Sequence, residues 1–518
     1  AGEQALLQYA NQEAINFFTL CVETGDKCLA DIQQAQTLNL SPLRRARWQR
    51  QLGEAYLRLG QLSIGEKHLR QALDLLGQPL PQTENQFIFG LLGQVSQQLL
   101  KRVRPPKAIT DPDRRENLLE TARVYHLIAE IFFFDQKTTA MIYTNLSTIN
   151  KTEPAGPSPD LAEAYGSMGV AAGLIPLHGV AQGYLANSQR VGQDLDHLPS
   201  IAYATMVESV YWMGVAQWEK VRNLLDRAID MYRRLGDSSR LGSNLILMAD
   251  LHYLQGNYPA ALALSKEVHQ LGQRNSSPQQ KAWGLGSQAE IVIRQGYLHH
   301  AGDAVKWIEE ALALLANNPD LTEETRNHGS LALARLRQGE YQKAYEAAII
   351  AGQLIAKTST PTLFSVFEGY AAPPAVFLTL WQYGDYLTTL PVGSKPISFT
   401  LDDCKKETAR SLKSLHQYAR IFPIGQPRAA LWQGAYDWMC GHPDKAFKIW
   451  EKGLEKARAM SLPWEEGRIC YEMGRRSPVG SSVRLENLKK AEKIFARLGA
   501  EYDQNRVRRE LDAGSSPG

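Results

Sequence analysis

The chain has 518 residues, carries 57 basic against 54 acidic side chains for a formal net charge of +3, and is 44% hydrophobic. That balance excludes intrinsic disorder and disfavours nucleic acid or any strongly acidic partner, which would call for a large positive excess. The length exceeds one compact core and requires several domains or an open-ended repeat array.

Five cysteines in so long a chain make no disulfide framework. Cys21 and Cys28 are read as two buried thiols of a reduced protein, since no histidine or further cysteine lies nearby. No apolar run reaches the ~18 residues of a membrane helix. The longest, "LIAEIFFFD" (127–135), already contains Glu130. No basic segment followed by an apolar one marks a signal peptide, so a cytoplasmic location is expected. The chain opens in mid-pattern without methionine, which is the expectation for a fragment of a longer polypeptide.

Strand patterns are nearly absent and helical spacing is everywhere. At the start, "YANQEAINFFTLCV" (9–22) reads as the second helix of a pair. In "LGEAYLRLG" (52–60), Gly53 supplies a close helix crossing, Tyr56 packs at the end of the first helix, and Gly60 ends it. "RPPKAITDP" (104–112) is a loop, and a helix starts near Arg114. "EPAGPSPD" (153–160) is a connection with Asp160 as N-cap. A weak copy of the opening pattern occupies 212–232, and clear copies occupy 247–272, 331–354 and 431–457, with Ala249, Ala332 and Gly434 at the crossing position. "STPT" (359–362) and "LPVGSKPISF" (390–399) interrupt the array, and a C-terminal set starts near Leu401. The expected organisation is N-terminal pairs over 1–104, a central array over 105–390, C-terminal repeats over 391–511 and a disordered tail over 512–518. Repeat length gives roughly eleven or twelve pairs.

This pattern resembles the tetratricopeptide repeat, a two-helix unit that buries its apolar face only by stacking on neighbours. The fold class expected is therefore all-α, a superhelix of antiparallel helix pairs. Most of the chain, and most clearly 1–104 and 427–511, further resembles the C-terminal helical-repeat region of large bacterial signalling ATPases, often linked to adenylate/guanylate cyclase or kinase domains. The resemblance implies a sensing or partner-binding arm.

Motifs for catalysis do not survive inspection. "GQLSIGEKH" (60–68) has Glu66 where a P-loop needs lysine. "GLGSQA" (284–289) follows no strand, and Asp402 and Asp403 are read as a helix N-cap and dipole-complementing pair rather than metal ligands. His299 and His300 are read as an exposed turn. The clusters "RRARWQR" (44–50) and "KRVRPPK" (101–107) are read as solvated helix faces. No catalytic constellation, metal site or cofactor is expected.

In tetratricopeptide proteins the groove is lined mainly by the first helix of each pair. Carried onto this register, groove positions are Arg47, Arg50 and Glu54, then Tyr203, Met206, Val210 and Met213, then Ile246, Asp250 and Tyr253, then Arg326 and Arg337, and last Arg428 and Trp438. An apolar middle between basic flanks suits an amphipathic helix or extended peptide with acidic ends. The expected function is a non-catalytic scaffold that binds a protein, a peptide or neighbouring domains of its parent. The alternative is a small-molecule sensor like the arms of ATP-dependent transcription activators.

Overall fold

The computed structural model describes residues 1–8, 10–28, 40–103, 109–175, 177–296, 301–316, 320–358, 360–384 and 398–513. Among them lie 24 α-helices and no strand. In chain order these are α1 (Gly2–Leu7), α2 (Asn11–Cys28), α3 (Pro42–Arg58), α4 (Leu62–Leu75), α5 (Glu84–Val103), α6 (Pro112–Phe134), α7 (Thr138–Ala155) and α8 (Pro159–Leu174). Next come α9 (His178–Asp194), α10 (Leu198–Gly214), α11 (Trp218–Leu235), α12 (Ser238–Leu254), α13 (Tyr258–Arg274), α14 (Pro278–Gln295), α15 (Ala301–Leu315) and α16 (Leu321–Arg337). The last are α17 (Tyr341–Ala356), α18 (Phe367–Gln382), α19 (Leu401–Ile421), α20 (Gln426–Met439), α21 (Pro443–Ala459), α22 (Pro463–Arg476), α23 (Ser482–Leu498) and α24 (Glu501–Ala513). None of these helices is long and apolar enough to cross a membrane. The pair His299–His300 lies outside the described residues, as do most of the 104–112 loop, of 390–399 and of the 512–518 tail.

Sequence-neighbouring helices pack as antiparallel pairs, α3 on α4, α6 on α7, and so on to α22 on α23. The fold is a tetratricopeptide-like α-α superhelix. First helices start on a local cap: Ser41 Oγ accepts from Arg44 N, Asp237 from Arg240 N, and Ser277 from Gln280 N. Two expected caps move. Ser158, not Asp160, caps α8, because its Oγ accepts from Leu161 N while Asp160 turns to Arg123 Nε at 2.9 Å. Thr400 caps α19 in a capping box with Asp403.

Gly53 is a crossing notch, since a Cβ there would stand 2.8 Å from Leu69 Cγ. Tyr56 stacks on His68 of the partner helix. Gly60 ends the first helix at φ +74, and a Cβ on it would also stand 2.6 Å from Gln279 Cβ. That second contact belongs to the superhelix. Pairs far apart in sequence meet as the array winds onto itself: Trp218 Nε1 donates to the Met460 carbonyl at 2.5 Å, and α14 packs against α24. One contiguous apolar core consequently includes residues from Ala46 to Val507. The inner face is mostly buried rather than an open trough.

Candidate ligand cavity

The first helices converge on a cavity of about 980 Å3, its mouth included. Its walls follow one stripe on each helix, three or four residues apart: His126, Glu130 and Phe133 on α6, Tyr203, Met206 and Val210 on α10, and Ser243, Ile246 and Asp250 on α12. Trp283 of α14, Glu323 and Arg326 of α16, Asn145 of α7, Arg240 of α12 and Asp320 also line it. A second, polar cavity of about 530 Å3 shares His126 and is lined by Arg50, Glu54, Arg123, Asp160 and Glu163.

Charge in the main cavity is organised at two poles. At one, Arg240 Nη2 donates to Glu130 Oε2 at 2.7 Å, and its guanidinium lies 5.2 Å from the centre of the Tyr203 ring. Tyr203 Oη shares a 2.7 Å hydrogen bond with Ser167 Oγ, and its ring meets His126 edge-on. Burial pushes His126 below the ordinary imidazole range. At the other pole, Arg326 donates to Asp250 at 2.8 Å and to both oxygens of Glu290 at 2.8 and 2.7 Å. Glu323 Oε1 is 3.8 Å from Arg326 Nη1, and burial pushes its carboxyl up to about 8. Asp320 is pushed up to about 6 by burial, although Gln279 Nε2 and the Glu323 amide donate to it.

Two lining atoms have no hydrogen-bond partner within the protein, Glu323 Oε2 and Asn145 Oδ1, on residues 4% and 2% exposed. In the polar cavity Glu163 is also pushed up to about 8 by burial and sits 3.4 Å from His126 Nε2. Its side chain keeps 31% of its surface against 5% for Glu323, so solvent moderates its rise, and Glu323 is the more strongly buried acid.

Six of the expected groove residues line the main cavity: Tyr203, Met206, Val210, Ile246, Asp250 and Arg326. Arg50 and Glu54 line the polar one. The others lie elsewhere. Arg47 reaches Glu116 at 2.9 Å, Met213 is fully buried in the core, and Trp438 stacks on Trp450 under Arg476. Tyr253 and Arg428 belong to a separate ionic cluster: Tyr253 Oη and Arg428 Nη1 both donate to Glu368, and Arg428 Nη2 donates to Glu465 at 2.5 Å. Arg337 lies over the Tyr502 ring.

The expectation of free basic flanks is corrected at three of its arginines. Arg50 is taken by Glu54 and Glu120, Arg326 by Asp250 and Glu290, and Arg428 by Glu368 and Glu465, so these three do not present free positive charge to an acidic-ended peptide. The residues that reading the sequence missed are Glu130, Asn145, Arg240, Trp283 and Glu323. Glu130 carried a signal, a lone acid inside the longest apolar run. Asn145 carried none, because it sits on a second helix, which the family's groove rule passes over.

No protein-family profile matches the chain. No curated protein sequence matches it either. Solved structures do. A Rap protein complexed with competence and sporulation factor aligns over 73% of this chain and 99% of its own, at 14% identity and a TM-score of 0.45. NprR in complex with its cognate peptide NprX aligns over 66% and 99%, at 14% identity and a TM-score of 0.37. A circular tandem repeat protein aligns over 99% and 96% with a TM-score of 0.14. Those superpositions are loose, and the fold assignment stands on the chain's own stacked helix pairs.

Proposed function

We propose that this chain is a binding module that takes a short extended peptide segment into the cavity between its first helices. The observation that carries the reading is the pair of buried, unpartnered polar atoms on Asn145 and Glu323 in a cavity otherwise walled by Phe133, Tyr203, Met206 and Trp283. Folded proteins pair most of their buried polar groups, and apolar walls with a few convergent polar groups are the usual setting of a ligand site. The test is affinity selection of a random peptide library on the full chain, with Val210→Trp, which fills the cavity, as comparison. Selected peptides that lose at least tenfold affinity for V210W support the reading; peptides that bind both proteins equally remove the cavity from it.

A second reading is a small-molecule sensor, favoured by apolar and aromatic walls that carry a few convergent polar groups. A thermal-shift screen of sugars and nucleotides separates the two, since a ligand that binds the folded state raises its melting point. The resemblance to the repeat regions of signalling ATPases supports a further proposal, that the array is the sensing arm of such a protein. A strand followed by a glycine-rich loop ending in Lys-Ser or Lys-Thr, upstream in the same reading frame, supports that link, and a frame without it removes it.

A further inference from the structure

The geometry points to a cationic nitrogen, a lysine or arginine side chain of the bound peptide, as the group that Glu323 receives, with the peptide's apolar neighbours on the aromatic wall. This rests on the peptide-binding reading above and specifies the ligand's chemistry.

Three observations carry it. The two buried lining atoms left without a partner are oxygens, Glu323 Oε2 and Asn145 Oδ1. Once ionised, Glu323 takes N–H groups of a ligand at Oε2. The two arginines in the lining are engaged, Arg240 with Glu130 and Arg326 with Asp250 and Glu290, so neither guanidinium is free to meet an anion. The lining also holds four acids, Glu130, Asp250, Asp320 and Glu323, against these two arginines. An ammonium or guanidinium would offset that excess and complete the hydrogen bonding.

A linked proton follows. Glu323 is faced by Asp320 and Arg326 from its own segment, by Glu290 from α14 and by Asp250 from α12. Burial and the three acids outweigh Arg326 and hold its carboxyl up to about 8, so near neutral pH it is mostly protonated before ligand arrives. A cation at Oε2 lowers that value and expels the proton. Affinity then rises with pH until the free-state value near 8 is passed. Asp320, at about 6, is already ionised over most of that window. His126, Glu130 and Arg240 stand at the opposite pole.

The experiment uses the full chain and a random hexapeptide library, acetylated and amidated so that only side chains carry charge. The expected result is enrichment of peptides with one lysine or arginine between apolar residues, at least fivefold over input. The best peptide should lose at least tenfold affinity when its lysine is replaced by norleucine, and at least fivefold on Glu323→Gln, whose circular dichroism and melting point check folding. Calorimetry at pH 7 in two buffers of different ionisation enthalpy should show proton release for the wild type and not for E323Q. Enrichment of acidic or wholly apolar peptides overturns the cation and leaves peptide binding standing, as does a lysine peptide indifferent to E323Q. Stabilisation by phenethylamine or spermidine with no peptide enriched upholds the cation and overturns the peptide. No enrichment and no amine effect overturns both.

Discussion

The two halves of the interior use the same inner helix faces to opposite ends. Toward the C-terminus, Arg294, Arg428 and Arg468 from α14, α20 and α22 interleave with Glu368, Glu465 and Asp503 and with the ring of Trp464. Arg294 Nε also donates to Tyr253 Oη at 2.6 Å, and Trp464 Nε1 to Asp503 at 2.9 Å. Every carboxylate there has a cationic partner, and Arg294 and Arg428 pull Glu368 down to about 2 against the upward push of burial. Around the cavity, burial wins instead, and Glu323 rises to about 8. Buried charge locks helices together where each carboxylate meets a cation, and burial dominates where an acid has only a distant one.

The comparison breaks hardest at Arg428. Arg428→Met leaves Glu368 and Glu465 each short of a buried partner and should cost about 3–5 kcal/mol of stability, read by chemical denaturation. A loss under about 1 kcal/mol would mean that the C-terminal cluster does not lock the fold. The two halves should next separate by pH. Glu368 is depressed from its ordinary value near 4.5, so its contribution is complete above that value and is lost as pH falls from about 4.5 towards 2. Glu323 is raised, so its contribution is complete below about 4.5 and is lost as pH rises towards 8. Melting temperatures between pH 2 and 9 should therefore decline at both ends.

Val210→Trp should lower stability by about 1–3 kcal/mol at most, the range for overpacking, because it projects into empty space. It should still remove ligand binding, and a larger loss of stability would show the site to be packed core. The smallest effect belongs to Glu323→Gln. It should change stability at pH 6 by less than about 1 kcal/mol, since glutamine replaces a mostly neutral carboxyl, while flattening the alkaline decline. A matching flattening at the acid end would assign the acid limb wrongly to Glu368.

Much of this architecture was legible in the residues because each repeat is a local solution. Gly53 and Ala249 mark crossings between helices adjacent in sequence, and Gly60 and Gly256 mark helix ends at positive φ. Six cavity residues were legible for the same reason, since Tyr203, Met206 and Val210 share one stripe of a single helix. The partners were not. Glu54 lies one turn from Arg50, but Arg50 and Glu120 are 70 residues apart and Arg326 and Asp250 are 76, and no local spacing announces those distant acids.

By itself, then, the sequence determined the helix pairs, their crossings and the faces turned inward, because helical period and steric fit act within some thirty-four residues, the length of one repeat. Only the tertiary structure decided which inward charges cancel and which acceptors stay unpaired. Winding brings first helices from distant repeats into one interior of low polarity, and there Coulombic pairing and desolvation depend on distances that no local spacing encodes.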